Sequence, residues 1–463
     1  MSEPPLDMVI RSGDVVAGDA RHRVDVGIRD GRIAVLGTSL RGVREIDARG
    51  CLVLPGIVDP HVHFSATPAT AGGEPEFADD FWTGSRTALA GGVTTVGQMS
   101  FPVADEGIRA AVERDEEAAR SRAAVDHYFH AGLISAPPGT ADEIAHLAGR
   151  GHRSLKIVML AFDWDHSGLV EAIDTARRFG MITLAHCEDH ALVDFATRRV
   201  QAQGGGVDRY PETRPPVSER AAVERLLAIC ELTGAPVYVV HLSASDALDA
   251  ARRGRHAGLP VMVETRPLYL GSTSAVHAEP DGYKQVGMPP IREREDVEAL
   301  WRGLANGSID TVGSDHAPWT LEQKREHIGD LACLRKGVAE LETMLPLLWT
   351  EGVVAGRITP ETLVRVTATN AARIFGLRNK GSISVGADAD LVILDPNEHR
   401  LVDGSGMESA AGYSVYDGRR LQGWPRWTLS RGDVVYGDGE VIANPGRGRR
   451  VQQDELRRTW QAR

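Results

Sequence analysis

The sequence predicts an α/β protein with two parts, a (β/α)8 TIM barrel and a small composite β-sandwich that both ends of the chain build together. Between residues 56 and 375, short β-branched runs alternate with helical stretches, as strands and helices do in such a barrel. Residues 1–55 and 376–445 instead alternate apolar and polar residues between glycine turns, which is typical of antiparallel strands. Residues 446–463 form a basic C-terminal tail, which we expect to be solvated or packed in an oligomer.

Local patterns support each element in order. At the N-terminal end, "RVDVGIRDGRIAVLG" contains the Asp30-Gly31 dipeptide of a tight hairpin. At the other end, "GSISVGADADLVILDPN" and "WTLSRGDVVYGDGEVI" predict strands joined by glycine turns. In the middle, "SERAAVERLLAICELTGA" has apolar residues at helical spacing and a glycine near its end. The predicted barrel strands, in chain order, are GIVDPHVHF, VTTVGQMS, DHYFHAGL, SLKIVML, MITLAHCED, VYVVHLSAS, PVMVETRP and IDTVGSDHAP.

Composition excludes several classes of function. The 463 residues exceed the roughly 250–300 at which a single core stops growing, so we expect one large domain and a smaller one. The 64 acidic residues outnumber the 52 basic ones, and a net charge of −12 argues against a nucleic acid or an anionic membrane as partner. Scattered cysteines, the absence of a signal-peptide pattern and the absence of an apolar run near ~18 residues predict a cytoplasmic protein.

Residues able to bind a metal stand at the ends of the predicted strands. His61 and His63 end the first run, and residues i and i+2 of a strand point to the same side. Taken alone, this pair is equally compatible with two solvated histidines at a strand edge. Four further runs carry Lys156, His186, His241 and Asp315. Because the strand ends of a barrel meet at one mouth, the four histidines and the aspartate predict a site for zinc or a similar divalent ion.

Lys156 needs its own explanation, because an ammonium group repels metal cations. Its neighbours Leu155, Ile157 and Val158 are apolar, and desolvation favours the neutral amine. A neutral amine can react with carbon dioxide to form a carbamate, an anionic ligand that could bridge two metals ~3.5–4 Å apart. A lysine at the barrel rim, paired with an acid, is the alternative.

The motifs "DPHVHF", "SLKIVML", "HCED", "VVHLSAS" and "GSDHAP", in this order, resemble those of the amidohydrolase superfamily. More narrowly, the chain is similar to the hydantoinase/dihydropyrimidinase group of cyclic amidohydrolases. The resemblance implies a binuclear site bridged by Lys156 as N6-carboxylysine, with zinc, manganese or cobalt as the metal. It also implies a homo-oligomer, a dimer or a tetramer. By the same resemblance, one metal would be held by His61, His63 and Asp315, and the other by His186 and His241.

The chemistry that this resemblance implies is the opening of a cyclic amide or ureide ring. Two metals would lower the pKa of a bridging water, and the resulting hydroxide would attack the ring carbonyl. Asp315 would take the proton of the water and deliver it to the leaving ring nitrogen.

The sequence departs from the hydantoinase pattern in the substrate pocket. Where that group usually has a tyrosine after the lysine, this chain has Ala161, followed by Phe162. Met288 replaces a serine that often precedes Pro-Pro in the substrate loop. Met288 and Phe162 are therefore our candidates for substrate contacts, and they predict a more apolar pocket.

Other functions stay open at this point. Dihydroorotases usually have an arginine after the His-x-His segment, whereas here the next arginine is Arg86. Allantoinases are close relatives, and "LETMLPLL" resembles them more than hydantoinases. A hydrolase of an acyclic amide is a further alternative. A non-catalytic scaffold of the same fold is disfavoured because every metal ligand is present.

Overall fold

Eight parallel strands form the central sheet of the computed structural model, which describes residues 5–18, 20–67, 77–103, 106–160 and 166–455. The strands are β1 (Leu6–Arg11), β2 (Asp14–Ala17), β3 (Ala20–Arg23), β4 (Asp25–Arg29), β5 (Arg32–Gly37), β6 (Gly42–Asp47), β7 (Leu52–Pro55), β8 (Ile57–Val62), β9 (Val93–Ser100), β10 (Asp126–Leu133), β11 (Ser154–Val158), β12 (Ile182–His186), β13 (Val237–Val239), β14 (Val261–Thr265), β15 (Thr311–Val312), β16 (Leu391–Leu401), β17 (Arg420–Ser430), β18 (Asp433–Gly437) and β19 (Glu440–Val441).

Helices alternate with the central strands. The α-helices are α1 (Phe81–Ala90), α2 (Ile108–Arg122), α3 (Thr140–Gly149), α4 (His166–Arg178), α5 (His190–Ala202), α6 (Tyr210–Thr213), α7 (Pro216–Thr233), α8 (Ser245–His256), α9 (Pro267–Gly271), α10 (Arg294–Asn306), α11 (Leu321–Arg325), α12 (Met344–Leu347), α13 (Pro360–Val364) and α14 (Asn370–Ile374). Two π-helical stretches, Leu348–Val354 and Arg365–Thr369, follow α12 and α13. None of the helices in the described part of the chain is long and apolar enough to cross a membrane.

Strands β8 to β15 lie side by side in sequence order and form the barrel. A parallel bridge between Val62, at the end of β8, and His316, just after β15, brings the two edges of the sheet together. All residues of β9 and β10 are buried, as expected for parallel strands covered on both faces. The predicted TIM barrel is therefore confirmed.

Helix α7 has the ends that its sequence predicts. It begins at Pro216, whose missing N–H costs nothing in the first turn, and it ends before Gly234, which has a left-handed φ of 70°. The lower barrel is filled by side chains: the Phe375 ring lies 5.6 Å from that of Tyr128 and 5.3 Å from that of Tyr238. This packed floor supports a site at the opposite end.

Two further sheets contain the end segments of the chain. One has the order β5-β4-β1-β6, and the other has the order β19-β18-β17-β16-β7-β2-β3, so that strands from both ends pair through β7 and β16. Buried side chains of both sheets, including Met8 and Ile28 from one and Val53 and Ile393 from the other, form a common core. This is the sandwich that the texture of both ends predicts, and the limits of the domains stay a prediction.

The described part of the C-terminal tail lies against the base of the barrel, which we define as the amino-terminal end of its strands. Backbone bonds join His127 N to the Arg449 carbonyl at 3.0 Å and Val451 N to the His127 carbonyl at 2.7 Å. Gly448 packs where a Cβ would meet the Val125 carbonyl oxygen at 2.2 Å. The described residues 446–455 are therefore not simply solvated, one of the two alternatives that we expected, because backbone groups of Arg449 and Val451 pair with β10. Packing of the tail in an oligomer stays a prediction.

Candidate active site

The six predicted metal ligands lie together at the mouth of the barrel, which we define as the carboxyl-terminal end of its strands. All six line one cavity of about 90 Å³. They are His61, His63, Lys156, His186, His241 and Asp315. The same cavity is lined by Phe77, Phe101, Val158, Met288, Ala317, Lys336 and Gly337. The structure thus brings together residues from five of the eight barrel strands or the turns that follow them.

His61, His63 and Asp315 form a compact donor group. Asp315 Oδ1 lies 3.2 Å from Nε2 of each histidine, and the two Nε2 atoms are 3.3 Å apart. One ligand atom from each residue lies within 4.8 Å of the others, so the group could hold a metal ion.

The second group contains His186, His241 and Lys156. His186 Nδ1 lies 3.0 Å from His241 Nε2. Among the described residues, neither Lys156 Nζ nor His241 Nδ1 has a hydrogen-bond partner, although both are buried. Buried polar atoms without a partner are rare and point to a bound group. Burial lowers the pKa of Lys156 to about 8, which raises the share of neutral amine near neutral pH.

Two buried glutamates orient the histidines, and the sequence reasoning did not identify them. Glu264 Oε1 lies 2.8 Å from His61 Nδ1, and Glu188 Oε2 lies 2.7 Å from His186 Nε2. Each contact leaves the other ring nitrogen directed at the donor groups. Burial raises the pKa of Glu264 to about 7. A signal was present, because Glu188 and Glu264 stand near the ends of the fifth and seventh predicted strands.

The backbone is strained at two of the donors. His241 and Asp315 have φ values of 37° and 48°, in the left-handed region that non-glycine residues rarely adopt. Such conformations persist where the surroundings enforce them, and they concentrate at functional sites. The strain directs both side chains into the cavity just after their strands end.

Arg266 donates a hydrogen bond to the carboxylate oxygen of Asp315 that does not face the histidines. Its Nη1 lies 2.5 Å from Asp315 Oδ2, while Oδ1 faces the histidines. Arg266 also donates to Glu340 Oε2 from Nε and Nη2 at 3.0 and 2.8 Å, and the Tyr416 hydroxyl donates to Glu340 Oε1 at 2.6 Å. Burial raises the pKa of Asp315, but Arg266, His61 and His63 together outweigh it and hold the pKa well below its usual range.

Of the two residues that we predicted to contact the substrate, one lines the cavity and the other lies outside the described residues. Met288 lines the cavity, and its sulfur lies 3.7 Å from Arg214 Nη2. Phe162 and the departure at Ala161 lie outside the described residues. The described part of the wall is apolar at Phe77, Phe101 and Val158.

Fold and site define the class: a (β/α)8-barrel protein with a metal-binding residue group at the mouth. The chain belongs to the amidohydrolase family, whose model matches residues 52–435. It is 33% identical over 459 residues to a D-hydantoinase of Geobacillus stearothermophilus, with 97% of each chain covered. It is also 33% identical over 453 residues to a D-phenylhydantoinase of Escherichia coli O9:H4, covering 96% of this chain and 97% of that one.

A solved structure of a related protein has the same fold as this chain. The crystal structure of a dihydropyrimidinase from Brevibacillus agri matches with a TM-score of 0.93 at 31% identity, covering 97% of this chain and 99% of that one. The resemblance to the hydantoinase/dihydropyrimidinase group is confirmed.

Proposed function

We propose that this protein is a metal-dependent hydrolase that opens the ring of a cyclic amide or ureide of the hydantoin or dihydropyrimidine type. One observation carries the proposal: four histidines, a lysine and an aspartate from five barrel strands, or the turns that follow them, line a single cavity. The names of the related proteins support the choice of substrate class.

The donor set fits two divalent ions, with zinc as our first choice and manganese or cobalt as alternatives. His61, His63 and Asp315 would hold one ion, and His186 and His241 the other. Once bound, the ions would polarise the ring carbonyl and lower the pKa of a water molecule. Imidazole and carboxylate ligands suit each of these metals.

We assign Lys156 the role of a shared ligand, modified to N6-carboxylysine. Its amine is buried, lacks a partner among the described residues and has a pKa lowered to about 8. A carbamate forms when the neutral amine adds carbon dioxide and loses a proton. The product is an anion with two oxygens, so the modification would turn a repelling cation into a bridging ligand.

We assign Asp315 the proton transfer. Its Oδ1 faces the histidines and Arg266 fixes Oδ2, and these three partners together keep the carboxylate ionised. As water adds to the carbonyl carbon, Asp315 would accept its proton and pass it to the ring nitrogen as the C–N bond breaks. The product of a hydantoin or dihydropyrimidine would then be an N-carbamoyl amino acid.

We propose that the protein works in the cytoplasm as a homo-oligomer, a dimer or a tetramer. Its scattered free cysteines, the buried Cys51, Cys187 and Cys230 and the exposed Cys333, fit a reducing compartment. Light scattering of the metal-loaded protein after size exclusion tests the subunit number.

Ring opening on a matched panel tests the function. The panel is dihydrouracil, hydantoin, an aryl-substituted hydantoin, allantoin, dihydroorotate and a cyclic imide, with Asp315→Asn as the blank. We expect turnover of a hydantoin or dihydropyrimidine that the blank does not support. Turnover of allantoin or dihydroorotate alone would assign the protein to those relatives. Silence across the panel, from protein with measured metal content, would overturn the proposal.

A further inference from the structure

One cation in the cavity lining has no carboxylate partner among the described residues. The ammonium group of the half-buried Lys336 donates to the Ala332 carbonyl at 2.6 Å, and this is its one hydrogen bond among the described residues. An ammonium group has three donors, so two N–H groups remain for another acceptor. The other charged groups of the lining are the proposed metal ligands, so the proposed chemistry does not use this charge.

The loop that carries Lys336 is fixed to both walls of the site. The Trp319 indole donates to the Lys336 carbonyl at 3.0 Å, and Gly337 N donates to the Val286 carbonyl at 3.0 Å. Ala317 N donates to the Val338 carbonyl at 3.1 Å. These bonds attach the loop just before Met288 and just after Asp315.

Glycine is required at the next position. Gly337 has a φ of 129°, and a Cβ there would meet the Ala317 carbonyl oxygen at 2.3 Å. Lys336 is therefore held beside the site by backbone geometry, and its direction does not depend on a salt bridge.

The electrostatic surroundings favour an incoming anion. Burial first, and then the charge of Arg214, lower the pKa of Lys336 to about 8, so the ammonium is still mostly charged near neutral pH. Of the nearby carboxylates, Glu188 is already bonded to Arg214 at 2.6 Å and to His186 at 2.7 Å. A partly desolvated cation without a counter-ion gains from a carboxylate that enters with the ligand.

We propose that Lys336 is a specificity-determining residue that binds a carboxylate on the substituent of the ring, so that the favoured substrates are cyclic amides or ureides with an anionic side chain. This inference rests on the proposed function and specifies its substrate. The apolar side chains Phe77, Phe101 and Met288 would contact the carbon atoms of the substituent. The missing arginine after His63 argues against carboxylated rings, and Lys336 supplies a cation from another wall.

Two hydantoins that differ only in charge test the proposal. One carries a 2-carboxyethyl group at ring carbon 5, and the other carries the matching 2-carbamoylethyl amide. We expect the metal-loaded protein to prefer the acid by about tenfold or more in kcat/KM, as a charge-assisted hydrogen bond permits. Lys336→Met should remove this preference, mainly by raising the KM of the acid. The kcat/KM of the amide should stay within about threefold of the parental value.

Two further variants separate recognition from folding. Arg335→Met removes the same charge one residue away, where the guanidinium lies over Trp319 and pairs with Glu326, and it should keep the preference. Lys336→Arg keeps the charge and should retain most of the preference. Equal losses on acid and amide in Lys336→Met, or no preference in the parent protein, would overturn the proposal.

A binding measurement distinguishes this proposal from the proposed function. If neither ring is opened, the ring-opening function fails, and both compounds become unreacted ligands for titration calorimetry. Tighter binding of the acid that is lost in Lys336→Met would still support the anion site. Equal binding of acid and amide would overturn it.

Discussion

Two buried lysines at opposite ends of the same barrel have opposite surroundings. At the base, Lys380 Nζ lies 2.7 Å from carboxylate oxygens of Asp126 and Asp390 and 3.0 Å from Asp388. At the mouth, Lys156 Nζ has no hydrogen-bond partner among the described residues. Burial lowers the pKa of Lys156 to about 8. At Lys380, burial also lowers the pKa, but the three carboxylates together raise it above its ordinary value.

The difference shows how one fold separates stability from chemistry. At the base, Asp126 also accepts from Arg449 N at 2.9 Å and pairs with Arg431, so the ion cluster is saturated with partners. At the mouth, buried polar atoms such as Lys156 Nζ lack hydrogen-bond partners among the described residues. This lowers the stability of the fold, but it leaves these atoms available to bind a ligand. Barrels of this kind carry their active sites at the mouth and stabilising contacts at the base.

Lys156→Ala should have the largest effect and should act on chemistry alone. We expect activity to fall by at least about 10⁴-fold, roughly 5 kcal/mol of barrier, because both ions would lose their shared ligand. The free energy of unfolding of the metal-free protein should not fall, since an unpartnered buried amine stabilises nothing. Metal analysis, turnover and urea unfolding test this, and normal metal content would contradict the bridging role.

Lys380→Met should have the opposite profile. It leaves three carboxylates without their shared cation, so the free energy of unfolding should fall by about 3–5 kcal/mol. Turnover per folded molecule should stay within about twofold. The control is Lys284→Met, which removes a lysine that pairs with the exposed Asp281 and lies 6.0 Å from the centre of the Tyr413 ring, and it should cost less than about 1 kcal/mol. Similar losses in both variants would argue that the base cluster is not a stabilising site.

Arg266→Met should reduce turnover by about 10–100-fold, because Asp315 loses the partner that fixes Oδ2. The variant also leaves the Glu340 carboxyl buried, with the Tyr416 hydroxyl as its remaining side-chain partner among the described residues, so it should be destabilised. Adding Glu340→Gln should recover part of the stability and none of the turnover. If turnover recovered together with stability, Arg266 would act on folding and not on the position of Asp315.

The smallest expected effect is at the attachment of the tail. Arg450, which is partly exposed, lies 2.7 Å from the buried Glu116, so Arg450→Met should cost about 1 kcal/mol or less at pH 6. Burial raises the pKa of Glu116, but His152 and Arg450 outweigh it and lower the pKa from 4.5 to about 2. The stabilisation is therefore complete above pH 4.5 and is lost as the pH falls toward 2. Urea unfolding at several pH values should show the deficit of the variant shrinking over this window.

Sequence patterns predict the part of the site that is attached to strand ends. A predicted ligand such as His186 stands at the end of the apolar run before it, and a barrel brings such strand ends together. Contacts between distant segments are different. The place of Glu264 near a strand end predicts that it lies at the mouth, but the sequence does not indicate that Glu264 bonds to His61 or Arg266 to Asp315, which lie 203 and 49 positions away in the chain.

Loops are less predictable for the same physical reason. Lys336 lies between recognisable elements, and its position depends on backbone bonds to Val286 and Ala317 from elsewhere in the chain. The tail residues 446–455 pair through backbone atoms, which carry no composition signal. The alternation of apolar and polar residues at both ends of the chain predicts strands. It does not predict their order in the sheet, in which β7 pairs with β16.

Because β7 pairs with β16, an early strand must remain without this partner while the rest of the chain is synthesised. Leu52–Pro55 leaves the ribosome early, but its partner Leu391–Leu394 follows only after the barrel segment has been translated. At roughly 5–20 residues per second, that interval is on the order of tens of seconds. For this period one edge of an apolar strand is unpaired, and such edges recruit other chains. Slow elongation or a shortage of chaperones should therefore increase aggregation of the nascent chain before its last strands emerge.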